Sequence, residues 1–148
     1  MGQVLLTHHH WDHVDGLDEF LSVWPGVCVL TPAMIQCTTE NIQIMNPRHN
    51  YTAAGFEFEV FRTSGHTPES ISFYFPEPKI CFVGDAIFAG AVGGTTDDAH
   101  FNEEVGCLHE SIMKLPAATE LLSGHGPATT VAIERRSNPF LQPGFTRI

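Results

Sequence analysis

The run Thr7-His8-His9-His10-Trp11-Asp12-His13 places four candidate metal ligands, His8, His10, Asp12 and His13, within six residues. First-row divalent cations take neutral imidazole nitrogen at about 2.0–2.1 Å and carboxylate oxygen at a similar distance. If Val4-Leu5-Leu6 is a strand, the residues just past its end are extended. His8 and His10 then point to one side and His9 to the other. Asp12 and His13 fall at the entry to a following helix, so one loop can serve two adjacent cations. An affinity-tag scar or a His-rich surface turn would be the plainer explanation. This run, however, is embedded between an apolar strand and a helix, unlike a tag.

Further candidates lie in three segments of one design: a strand end, a glycine, then a ligand-type residue. They are Thr63-Ser64-Gly65-His66, Phe82-Val83-Gly84-Asp85 and Leu122-Ser123-Gly124-His125. Glycine lets the backbone turn sharply or approach closely just before the ligand. In α/β sheets ligands bind at the carboxyl ends of strands, where these residues and the His-rich loop all fall. A lone Gly-His says little; three such turns joined to His-x-His-x-Asp-His make a strong pattern.

The elements that must position these residues alternate between strand and helix. Val4–Thr7 reads as a buried strand, Leu17–Trp24 has helical spacing stopped by Pro25-Gly26, and Val27–Leu30 is a second buried strand. Phe56, Phe58 and Val60 alternate with Glu57, Glu59 and Phe61 as a half-exposed strand, its aromatics expected in the core. Ile71–Phe75 and Lys79–Val83 form a hairpin across Pro76-Glu77-Pro78. Residues 90–98 read as a glycine-rich loop, Glu103–Leu115 as a helix ended by Pro116, Glu120–Ser123 as a strand and Val131–Ser137 as a short helix. Residues 32–52 carry no clear signal. The class is α/β, one domain over residues 1–148.

Bulk properties narrow the function. A net charge of −10, from 17 acidic against 7 basic residues, argues against nucleic acid as a partner. No apolar run approaches the roughly 20 residues that span a bilayer, so no membrane partner is expected. Cys28, Cys37, Cys81 and Cys107 form no C-x-x-C pair and sit in apolar or mixed segments. They read as reduced thiols of a cytoplasmic protein.

Gly65-His66-Thr67-Pro68, Gly84-Asp85-Ala86-Ile87-Phe88-Ala89-Gly90 and the stretch from Gly124-His125-Gly126-Pro127 through Asn138-Pro139-Phe140-Leu141, together with the His-rich loop, carry a resemblance over nearly the whole chain. The sequence resembles the metallo-β-lactamase fold superfamily, and within it the short glyoxalase II-like hydrolases. The resemblance implies an αββα sandwich with a dinuclear site in its edge groove. It places His8, His10 and His66 on one metal, Asp12, His13 and His125 on the other, and Asp85 between them. Two divalent ions are implied, zinc first, with iron or manganese as substitutes. The implied activity is hydrolysis of a small-molecule thioester of the S-lactoylglutathione type by a metal-bridging hydroxide, with Asp12 orienting the nucleophile and carrying its proton. Two cations about 3.5–4 Å apart suit this, because a bound water's pKa falls from 15.7 toward about 7. No serine or cysteine nucleophile is needed.

Several details distinguish branches of the superfamily. Lactamases of the commonest type carry cysteine where Asp85 stands, and lactone hydrolases follow that aspartate with a tyrosine; Ala86-Ile87-Phe88 follow here. A sulfur (persulfide) dioxygenase branch would use one iron on His8, His10 or His66, and Asp85. Glu69 replaces a usual glycine beside His66, and Gly94 replaces an arginine that suits anionic substrates. Relative to the family the chain is expected to lack the first strands, as a truncated and inactive member or as a homodimer that covers the exposed sheet edge. It is also expected to lack the helical domain with which full-length glyoxalase II grips glutathione. Arg135 and Arg136 could hold an anionic group, but are expected first on a solvated helix face. His9, His49, His100 and His109 are expected in structural or surface roles, with His100 nearest the groove.

Overall fold

The computed structural model describes residues 2–145. Strand β1 (Gln3–Leu5) pairs in parallel with β2 (Cys28–Thr31), and β2 in parallel with β3 (Ile42–Ile44), making a three-stranded sheet. Between β1 and β2 run the short helix α1 (Trp11–Val14) and α2 (Leu17–Val23). This is the β-α-β unit that the first thirty residues predict.

The second sheet has six strands. Strand β4 (Asn50–Ala53), β5 (Phe56–Arg62), β6 (Ile71–Phe75) and β7 (Ile80–Gly84) form an antiparallel meander. Two more strands lie beyond β7. Strand β10 (Glu120–Ser123) runs parallel to it, and β11 (Thr129–Thr130) closes that edge. Strands β5, β7 and β10 therefore point the same way and deliver Gly65-His66, Gly84-Asp85 and Gly124-His125 to one end of the sheet. A small hairpin, β8 (Ile87–Phe88) with β9 (Ala91–Val92), follows Asp85. Helices α3 (Asp98–Glu110) and α4 (Val131–Ser137) pack on the outer face.

Three apolar clusters separate four layers. Leu17 and Leu21 of α2 pack on Val27 and Val29. Leu30 and Met45 meet Phe58, Val60 and Phe73 between the sheets. Tyr74, Cys81, Val83 and Leu121 face Leu108, Ile112 and Val131 on the far side. Neighbours such as Val29 and Leu30, or Phe73 and Tyr74, serve opposite faces, as the pleat requires. The layers are helix, sheet, sheet, helix, the sandwich that the resemblance implies.

Some sequence expectations shift. Helix α3 starts at Asp98 rather than 103, because Asp97 caps it by accepting from the His100 backbone N–H at 2.9 Å. Its final turn gives way to a 3-10 segment, Ile112–Lys114. The loop expected over 90–98 contains β9, and the unassigned stretch 32–52 contains β3 and the start of β4. Phe58 is in the core, but Phe56 is 52 % exposed. Phe56 lines a groove of about 430 Å³ between β1 and the inner faces of Phe73, Phe75 and Phe82.

Candidate metal centre

The loop after β1 crosses from one sheet to the other. Leu6 N–H donates to the Leu30 carbonyl, while the Thr7 carbonyl accepts from Ile71 N–H of β6. Thr7 packs on Gly84, where φ is +51° and a side chain would collide with the Thr7 hydroxyl. His8 is thereby delivered into the gap between sheets, 1 % exposed. His9 turns away and its ring bonds the Thr31 hydroxyl at 2.7 Å. His10 caps α1, which carries Asp12 and His13.

All seven expected ligands converge. His8, His10 and His66 form one group whose ligand atoms lie within 4.8 Å of one another, as do those of Asp12, His13 and His125. Asp85 reaches both groups: its Oδ1 lies 3.3 Å from His13 Nε2, and its Oδ2 lies 3.7 Å from His66 Nε2 and 3.5 Å from His125 Nε2. His10 Nδ1 and His66 Nε2 face each other at 2.9 Å. His125 Nε2 meets Asp12 Oδ2 at 3.1 Å.

The residues fit divalent cations on the chain's own geometry. His8 Nε2, His13 Nε2 and Asp85 Oδ1 are buried without hydrogen-bond partners among the described residues, which is costly unless a cation takes them. Gly124 presses its backbone against them; a Cβ there would collide with Asp85 Oδ1 and the His13 ring. His66 Nδ1 donates to the Gly94 carbonyl at 2.7 Å, leaving Nε2 for a ligand, the outer-sphere pattern of metal-binding histidines.

Electrostatics favour the ligand forms. Burial, and then the neighbouring His13, push the His8 imidazole down to about 4, so it is neutral near pH 7. Desolvation works against the Asp12 carboxylate, but its backbone N–H, His13 and His125 together hold its pKa below the ordinary value.

The structure also brings in residues the sequence did not flag. Glu104 of α3 is fully buried behind the His66 turn, and burial pushes its carboxyl up to about 8 despite the facing His66 backbone N–H. The available signal was an acid on the stripe Phe101, Glu104, Leu108, whose other members are apolar. Glu134 is also buried, yet it accepts from the Thr129 hydroxyl, the Gly90 N–H and the Asn138 amide at 2.6, 3.0 and 2.9 Å.

Other candidates fall elsewhere. Arg135 is not simply solvated: its guanidinium bonds the Met113 and Leu115 carbonyls. His100 pairs with Asp97 at 2.8 Å. His49 and His109 are exposed. Glu69 acts on His9, opposing the fall in its pKa that burial causes.

Comparison with known proteins places the chain. The model of the metallo-beta-lactamase superfamily matches residues 40–125, which include His66, Asp85 and His125. A probable metallo-hydrolase, YqgX, of Bacillus subtilis is 32 % identical over 97 % of this chain and 76 % of its own length. The hydroxyacylglutathione hydrolase GloC of Haemophilus influenzae is 36 % identical over 93 % of this chain and 74 % of its own. Among solved structures, the BLEG-1 B3 metallo-beta-lactamase superposes with a TM-score of 0.83 at 30 % identity, covering 95 % of this chain and 77 % of that one. TTHA1623 in a di-iron-bound form gives 0.73 at 27 %, covering 94 % and 77 %. The chain belongs to the metallo-beta-lactamase superfamily. That fold implies divalent metal ions, and the His and Asp groups above can hold them.

Proposed function

We propose that the protein is a dinuclear metallo-hydrolase of small-molecule thioesters of the S-acylglutathione type. The observation that carries this reading is Asp85, whose carboxylate lies between the two histidine groups: Oδ2 is near both His66 and His125, and Oδ1 is near His13. His8, His10 and His66 would hold one cation, Asp12, His13 and His125 the other, and Asp85 both. Zinc suits the set, with iron or manganese as alternatives, since imidazole and carboxylate serve all three. TTHA1623 with its two irons supports a two-metal site. The 36 % identity to GloC supports the thioester assignment.

When bound, the cations supply an activated water and polarise the scissile carbonyl. The chain's own groups do the rest. Asp12, held ionised beside His125, accepts the proton of the attacking water on its carboxylate and returns it to the leaving thiolate. The Gly94 carbonyl keeps His66 in one tautomer and one orientation. His8, buried and neutral, excludes water from the inner side of the site. The free cysteines, with Cys81 fully buried, support a reducing, cytoplasmic setting.

Elemental analysis of the purified chain, paired with an S-lactoylglutathione hydrolysis assay, tests the reading. About two metals per chain and thiol release are expected. A single iron with oxygen consumption, or no turnover once metal is supplied, overturns it.

A further inference from the structure

Glu104 has no place in the ligand set, yet it sits where the ligands are built. It is 0 % exposed, and among the described residues neither of its oxygens has a hydrogen-bond partner at full hydrogen-bond geometry. Glu134, equally buried, shows what a structural carboxylate looks like in this chain, with three donors around it. A residue needed only to fill the space under α3 would gain nothing from an unpartnered carboxyl, because burying one without a partner is costly.

The surroundings of Glu104 are specific. Gly65, the residue before His66, is packed so tightly on Glu104 that a Cβ at 65 would overlap its Cβ. On the other side, a Cβ at Gly93 would collide at once with Glu104 Oε1, the Asp85 carbonyl oxygen and the His66 Cβ. The carboxyl is thus wedged between the His66 turn and the Gly93-Gly94 backbone, whose Gly94 carbonyl orients the His66 ring. The backbone N–H of His66 is turned toward it.

From this arrangement we infer that Glu104 is a positioning residue for the metal centre. Its carboxyl, wedged against the His66 turn, is placed to accept from the His66 backbone N–H that faces it and so to hold that backbone from behind as the ring meets a cation. The inference rests on the metal-site reading above. It assigns Glu104 a role exerted through His66, with no contact to substrate.

The test separates a polar acceptor from mere filling. Zinc affinity, by chelator competition, and the visible spectrum of the cobalt-loaded chain are compared for wild type, Glu104→Gln and Glu104→Leu, alongside Tm of each metal-free protein. Glu104→Gln retains an acceptor oxygen and should bind zinc within about threefold of wild type. Glu104→Leu should keep or raise Tm, since it removes a buried polar group that is poorly satisfied in the folded chain. Its zinc affinity should nevertheless fall about tenfold or more, the scale of outer-sphere substitutions, with an altered cobalt spectrum. Wild-type affinity in Glu104→Leu overturns the inference, as does an equal loss in Glu104→Gln. If Glu104→Leu does not fold, Glu104→Met takes its place under the same criteria. A wild-type chain that binds no zinc would instead sink the metal-site reading itself.

Discussion

His66 is fixed by Gly94: Nδ1 meets the Gly94 carbonyl oxygen at 2.7 Å, and a carbonyl can only accept. The proton therefore resides on Nδ1, and Nε2 is the lone-pair nitrogen facing His10. The clamp is made by backbone, and a side chain added at Gly94 would meet nothing within 4 Å. Gly94→Arg should leave the clamp intact and change stability by less than about 0.5 kcal/mol. If the substrate is an anionic thioester, the added charge should lower KM severalfold with kcat little changed, as steady-state kinetics with S-lactoylglutathione would show.

Asp85 is the residue the two histidine groups share. Asp85→Asn removes the shared charge with little change of shape. Metal content by elemental analysis should drop from about two to about one per chain. Turnover should fall by at least about 100-fold, more than an outer-sphere change produces. A variant that keeps both metals would separate Asp85 from the bridging role.

Glu134 ties β11, α4 and the β8–β9 hairpin through Thr129, Asn138 and Gly90. Glu134→Ala leaves three donors without their acceptor, two of them buried, a loss of about 3 kcal/mol. For a chain of this length that corresponds to a fall of roughly 6–12 °C in Tm, measured calorimetrically on the metal-free protein.

Metal-free protein should show an unusual pH profile. His8 titrates near 4 in the folded chain against an ordinary 6.5, so its contribution is present above 6.5 and lost as pH falls through 4. Glu104 titrates near 8 against an ordinary 4.5, so its contribution is present below 4.5 and lost as pH rises through 8. Between 4.5 and 6.5 the two slopes oppose each other; above 6.5 Glu104 acts alone. Denaturant titrations should show stability declining from pH 6.5 to 8 in wild type. In Glu104→Gln that decline should vanish, and a rise between 4.5 and 6.5 should appear.

The convergence of the candidate ligands was legible because the residue types and spacing that mark them are local. Each residue follows a strand end and a glycine, so type and spacing alone mark His66, Asp85 and His125. Strands β3 and β4 were not legible: Ile42-Gln43-Ile44 and Asn50-Tyr51-Thr52-Ala53 are too short and mixed to show a period, and their pairing with β2 and β5 decides them. Phe56 looks like core by pattern, yet it sits at the hairpin end beside a groove that nothing in its neighbours' sequence announces. Glu104 was hidden for a different reason. Its significance lies in what packs behind His66, and the two are brought together only by the fold.

The crossing of the His-rich loop at Thr7 has a last consequence. Asp12 and His125, which meet at 3.1 Å, are 113 positions apart in the chain. A cation held by both would tie off about three quarters of the polypeptide as one ring and rivet the small sheet to the large one. The entropy removed from the unfolded chain by such a closure grows with the logarithm of ring size. Losing the cation then loosens the seam between the sheets as well as silencing the site.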